Sequence, residues 1–100
     1  MGYKLKYTKQ AEKDARLLER SGLDKIVKNL LIIVQNNPFQ NPPEFEALKG
    51  DRKGTYSRRI NQKHRFVYEV LPNDDSLKDS EDKLYMGFVK IISMWTHYER

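Results

Sequence analysis

Apolar and polar residues alternate without a break in Tyr3-Lys4-Leu5-Lys6-Tyr7, which predicts a short strand with one apolar and one basic face. The period then changes. Thr8 is placed to cap a helix running to about Arg20, with Ala11, Ala15 and Leu18 along one face and Gly22 as its stop. Asp24 is placed to cap a second helix, in which Ile26, Val27, Leu30, Leu31 and Val34 fall on one side. That stripe is the clearest helical signal in the chain and reads as core. Two helices joined this closely form an antiparallel hairpin.

Residues 36–43, Asn-Asn-Pro-Phe-Gln-Asn-Pro-Pro, form a loop, because the paired prolines block regular structure. Beyond them the chain turns to β. Residues 55–61 and 65–71 both alternate and are separated by polar residues, which predicts a hairpin. Tyr56 and Ile60 pair with Phe66, Tyr68 and Val70 on an apolar face, while Ser57, Arg59, Arg65 and Val67 share the other. This pairing needs an odd-length turn centred on Gln62, since an even one would set Arg65 opposite Ile60. Arg58 falls on the apolar side, where its charged head is expected to snorkel at the margin. Residues 72–82 read as an acidic loop, and 84–95 as a long strand apolar on both faces, as a central strand should be. The resulting order is β-α-α-β-β-β, an α+β fold with a helical hairpin packed on an antiparallel sheet.

Composition narrows the function more than the fold. One hundred residues leave room for one domain, and six Tyr, four Phe and a Trp supply enough bulk for a small core. The absence of cysteine removes disulfides, thiolate catalysis and cysteine-ligated zinc. The longest apolar run, residues 30–34, is far too short to span a bilayer, and the N-terminus has no apolar signal core, so the expected location is cytoplasmic. The formal net charge of +5 is unevenly spread. Residues 49–65 hold seven basic side chains (Lys49, Arg52, Lys53, Arg58, Arg59, Lys63, Arg65) against Asp51, a segment of +6. Residues 74–82 hold five acids against Lys78. A concentrated basic segment beside a near-neutral remainder points to a polyanion partner, although a solvated basic face produces the same pattern.

Generic motifs are absent. His64 and His97 are distant in sequence and belong to no spaced ligand set, and there is neither a Gly-rich phosphate loop nor a Ser-His-Asp signature. The second half nevertheless carries an ordered set. It comprises Pro38-Phe39, Glu46-Ala47-Leu48-Lys49, Tyr56-Ser57-Arg58-Arg59-Ile60-Asn61, His64-Arg65-Phe66-Val67-Tyr68 and His97-Tyr98. This set resembles the YoeB/Txe branch of the RelE toxins. The resemblance implies a small RelE-like domain of the microbial-RNase type, acting as the toxin of a bacterial type II toxin–antitoxin pair. Such a toxin is a ribosome-dependent mRNA endonuclease, cutting in the decoding site without a metal or other cofactor. The RNA 2′-hydroxyl attacks the adjacent phosphate, leaving a 2′,3′-cyclic phosphate and a 5′-hydroxyl. The resemblance further implies a YefM/Axe-like antitoxin, operator DNA bound only together with that antitoxin, and a homodimer. The competing readings are a non-enzymatic, ParE-like gyrase inhibitor and an RNA- or operator-binding module that does not cut.

Cleavage of this kind needs a base for the 2′-hydroxyl, an acid for the departing 5′-oxygen and cations facing the charge that builds on phosphorus. Glu46 matches the family's base; a carboxylate with an ordinary pKa near 4.3 is ionised at neutral pH and can accept a proton. Glu44 is its neighbour and competitor, but the Glu-x-Leu-Lys register selects Glu46. His97 matches the acid, since an imidazole titrates near neutrality, whereas His64 belongs to the hairpin. Arg65 matches the residue facing the scissile phosphate, to which a guanidinium offers a planar, two-pronged contact. Lys49 and Arg59 would add charge along the RNA backbone, and Tyr98 a platform for a base. Tyr56 stands where the family often has Trp and reads as core or rim. The chain departs from the family pattern in its long acidic loop and in Glu99-Arg100 after the His-Tyr pair.

Overall fold

The computed structural model describes residues 2–50 and 54–95. Its elements run β1 (Tyr3–Tyr7), α1 (Lys9–Arg20), α2 (Asp24–Asn36), β2 (Phe45–Ala47), β3 (Thr55–Arg59), β4 (Arg65–Pro72) and β5 (Gly87–Ser93). Among the described residues the strands form one sheet in the order β1-β5-β4-β3-β2. The helices pack on one side of it, so the α+β class stands. Two features extend the sequence expectation. The sheet is mixed, because β1 lies parallel to β5 while the other neighbours are antiparallel. A further strand, β2, follows the proline-rich loop; three residues are too few to show a period.

The first turn of α1 explains how the two ends of the chain are joined. Thr8 Oγ1 accepts from the Ala11 amide at 3.0 Å, as an N-cap should, and donates to Ile92 O at 2.7 Å. Its own amide donates to Ile91 O. One turn on, Asp14 is fully buried and its Oδ2 accepts from the Met94 amide at 2.9 Å. The inward positions of α1 are therefore Ala11, Asp14 and Leu18, whereas Ala15, expected inside, is exposed. Gly22, at φ +75°, takes the left-handed conformation that ends the helix.

In α2 the N-cap is Leu23, with no side-chain bond, and Asp24 is instead the first helical residue, where its charge suits the N-terminal dipole. Val27, Leu30 and Val34 are buried, but Ile26 is 44% exposed. Adjacent residues on a helix point about 100° apart, so Ile26 and Val27 cannot both face the sheet.

The core joins these helical residues to Ile60, Phe66, Tyr68, Val89, Ile91 and Met94. The hairpin register is the one the alternation requires: Tyr56 opposite Tyr68, Ser57 opposite Val67, Arg59 opposite Arg65. The intervening turn is centred on Gln62. The final strand is shorter than 84–95; residues 84–86 belong to the preceding loop, in which Leu84 bridges to Lys78. Strand β5 does lie between two others, and a register shift opposite Val67 and Tyr68 leaves Ile92 as an extra residue. That is the residue whose carbonyl Thr8 satisfies.

Arg58 overturns its expectation. It does not snorkel; it is 1% exposed. Its guanidinium donates to the carbonyls of Pro38, Gln40 and Pro43 and to the Tyr68 hydroxyl. The proline-rich loop folds over it, so that a cation on the apolar side finds a ring of carbonyls instead of solvent.

Candidate active site

Strand β2 is three residues long and lies at the sheet edge, so its pairing with β3 decides which way Glu46 points. Phe45 pairs with Arg58 and Glu46 with Ser57. Phe45 thus shares the core side, and Glu46 shares the face turned away from the helices with Ser57, Arg59 and Arg65. The turn that sets Arg59 opposite Arg65 is fixed locally. Asn61 Oδ1 accepts from the Lys63 and His64 amides at 2.8 and 2.7 Å, and His64 O accepts from the Ile60 amide at 2.9 Å.

These side chains meet. Arg65 Nη2 donates to Glu46 Oε1 at 2.9 Å, and Arg65 Nε donates to Ser57 Oγ at 2.7 Å. The guanidinium is held at two of its three nitrogens, with Nη1 engaged in neither bond. Around it lies a cleft of about 260 Å³ lined by Glu44, Phe45, Glu46, Ser57, Arg59 and Arg65. Arg65 is part-buried and Glu46 largely exposed. An exposed ion pair of this kind contributes between zero and about 1 kcal/mol to stability. Its importance is therefore geometric: it sets a carboxylate against an oriented cation. A larger groove of about 490 Å³, beside α1 and α2, contains none of the candidate residues.

Of the six candidates, the cleft gathers Glu46, Arg59 and Arg65. Lys49 is exposed, lies beyond β2 and does not line it. His97 and Tyr98 lie outside the described residues, as do Arg52 and Lys53 of the basic segment. His64 is buried, with its ring stacked on Trp95 at a centroid separation of 3.8 Å, in keeping with a place in the hairpin. The basic segment therefore divides: Arg58 is withdrawn into the core while Arg59 and Arg65 face the cleft. Two carboxyl groups accompany those two cations, so the cleft is mixed in charge and not a uniformly basic trough.

A family model for the YoeB-like toxin of bacterial type II toxin-antitoxin systems matches residues 5–98. The chain belongs to this family. Toxin YoeB of Streptomyces coelicolor is 37% identical over 71 residues, which make up 71% of this chain and 75% of that one. The structure of a YoeB/ParE toxin from Agrobacterium tumefaciens superposes with a TM-score of 0.73 at 29% identity, covering 95% of this chain and 99% of the other. A YoeB-YefM complex from Staphylococcus aureus gives a TM-score of 0.68 at 27% identity, covering 98% and 100%.

In this YoeB-family chain the candidate set leaves out Ser57, which lines the cleft beside Arg65. Ser57 orients Arg65, a contact that follows from the β3–β4 pairing, which sets both on one face. Asp14 and Thr8 tie the end of β5 to α1, and no local motif announces either contact across some 80 residues. Among the described residues no three His, Cys, Asp or Glu side chains come together to hold a metal ion, and no helix is long and apolar enough to cross a membrane.

Proposed function

We propose that this toxin is an endoribonuclease that cleaves mRNA on the ribosome. The observation carrying the reading is the Glu46–Arg65 pair, oriented by Ser57 and flanked by Arg59 in an open cleft. Glu46 takes the proton of the RNA 2′-hydroxyl, and the oxygen so released attacks the adjacent phosphorus. Arg65 faces the phosphate and offsets the charge that accumulates on its non-bridging oxygens. The bond from phosphorus to the 5′-oxygen breaks, and His97 gives that oxygen its proton. The products are a 2′,3′-cyclic phosphate and a 5′-hydroxyl. Arg59 contacts the backbone within the cleft, Lys49 contacts it outside, and Tyr98 stacks on a base.

The sequence motifs supply the roles, and the cleft supplies a geometry compatible with them. The S. aureus complex supports a YefM-like antitoxin as the cognate partner, with operator DNA engaged by the pair. The test is cleavage of an mRNA in a purified translation system, with the termini identified chemically. The parent should leave cyclic-phosphate ends, and Glu46→Ala, Arg65→Ala and His97→Ala should each suppress them. An uncut message, or three variants as active as the parent, would overturn the reading.

A further inference from the structure

Among the described residues Arg58 is the largest fully buried side chain, and the proposed chemistry makes no use of it. Burying a guanidinium is costly unless its donors are satisfied. Among the described residues its acceptors are all uncharged: Pro38 O at 3.1 Å, Gln40 O at 2.9 Å, Pro43 O and the Tyr68 hydroxyl at 3.2 Å. Tyr68 completes the ring by donating to Pro38 O at 2.6 Å. The guanidinium carbon also lies 4.9 Å from the centre of the Phe45 ring.

Two of these contacts lie close to Glu46 along the chain. Pro43 is three residues before it, and Phe45 is its immediate neighbour on β2. Phe39, Phe45 and Tyr56 close over the same spot, with ring centres 5.3 to 6.2 Å apart. Strand β2 is too short to fix its own register, and a slip of one residue would turn Glu46 away from Arg65. A planar fork that grips three carbonyls of the incoming loop, with Phe45 packed on it, removes that freedom.

The geometry points to Arg58 as a positioning residue for the proposed base. It locks the proline-rich loop and Phe45 on the core side, so that Glu46 is delivered to Arg65 on the opposite face. This rests on the proposed nuclease reading for its catalytic consequence, but not for its structural one. Lysine is a poor substitute, because a point charge cannot reach three diverging acceptors.

Two measurements on the full-length protein test it together. The first is hydrogen exchange at the Leu48 amide, which donates to Thr55 O next to β2, with the Thr8 amide, bonded to Ile91 O, as a distant reference. The second is ribosome-dependent mRNA cleavage, resolved into kcat and KM. Arg58→Met should speed Leu48 exchange by at least about tenfold with little change at Thr8, and lower kcat by about 100-fold with KM nearly unchanged. Arg58→Lys should recover only part of either, and Tyr68→Phe should shift both the same way by less. If Arg58→Met does not fold, these two milder variants decide. Unchanged Leu48 exchange in folded variants overturns the inference, as does faster exchange with kcat intact or equal acceleration at both amides. A parent that cuts no message defeats the nuclease reading, while the exchange measurement still judges the role of Arg58 in holding β2.

Discussion

The two ends of strand β4 are built differently. At the Arg65 end, contacts from distant parts of the chain converge: Ser57 and Glu46 on Arg65, Trp95 on His64, Thr8 on Ile92 and Asp14 on Met94. At the Pro72 end the chain enters the acidic loop, whose bonds are mostly local. Asn73 spans it with bonds to Leu77 and to Tyr85 O, and Lys78 bridges to Leu84. The eight residues of β4 set its two ends seven steps apart, roughly 24 Å at about 3.4 Å per step. Screening at physiological salt acts over about 8 Å. The start of the loop at Pro72 therefore lies beyond screening range of Arg65, although along the sequence the acids stand just after the basic segment. The cleft end is held by long-range contacts, and the loop end mostly by its own.

The sharpest way to break this contrast is at the cleft itself. Glu46→Ala or Arg65→Ala should lower the cleavage rate by about 10²–10⁴-fold, measured on ribosome-bound message. Arg65→Lys should lose most of that, since an ammonium cannot serve Ser57, Glu46 and a phosphate in one plane. A smaller effect is expected where the cleft end is tied to α1. Thr8→Ala removes a cap and the bond to Ile92 O, and should cost about 1–2 kcal/mol in denaturant unfolding.

Alkaline pH should reach the same end. Burial pushes the Tyr68 hydroxyl above the ordinary value of 10.0, with the Arg58 charge working against the shift. The folded state thus holds that proton more tightly than the unfolded chain. Its stabilisation is complete below about pH 10 and is lost as pH rises through the higher folded value. Unfolding measured against pH should show a shallower alkaline decline in Tyr68→Phe than in the parent.

The smallest effect belongs to the loop. Neutralising Asp74, Asp75, Glu81 and Asp82 to their amides, while sparing Asp79, which accepts from the Glu81 and Lys83 amides, should leave cleavage within about twofold at 0.15 M salt. A larger change would mean that the loop reaches the RNA path and that the two ends are coupled.

Much of this was legible along the chain wherever the signal is a local period. The alternation of 55–61 and 65–71 carried the hairpin register down to Arg59 opposite Arg65, because a strand's side-chain period of two admits one pairing that buries Tyr68 and Phe66. The helices followed from the spacing of Val27, Leu30 and Val34, and Thr8 announced its cap. What failed had no period to read. Strand β2 is a strand only because β3 lies beside it. Ala15 and Ile26 are apolar but exposed, whereas Asp14 is charged in type and buried, because the Met94 amide, 80 residues away, donates to its carboxylate.

Arg58 and Arg59 state the division most plainly. The sequence by itself determined that these neighbours point to opposite faces of a strand, since backbone geometry enforces that alternation. It also places Glu46, Arg59 and Arg65 within one ordered set of residues. Only the tertiary structure decided that Arg58 is buried, because the cost of taking its charge from water depends on carbonyls delivered by a loop 15 to 20 residues away. The same folding of that loop settles where Glu46 lies relative to Arg65. Such a contact is a property of three-dimensional packing, and no window of sequence contains it.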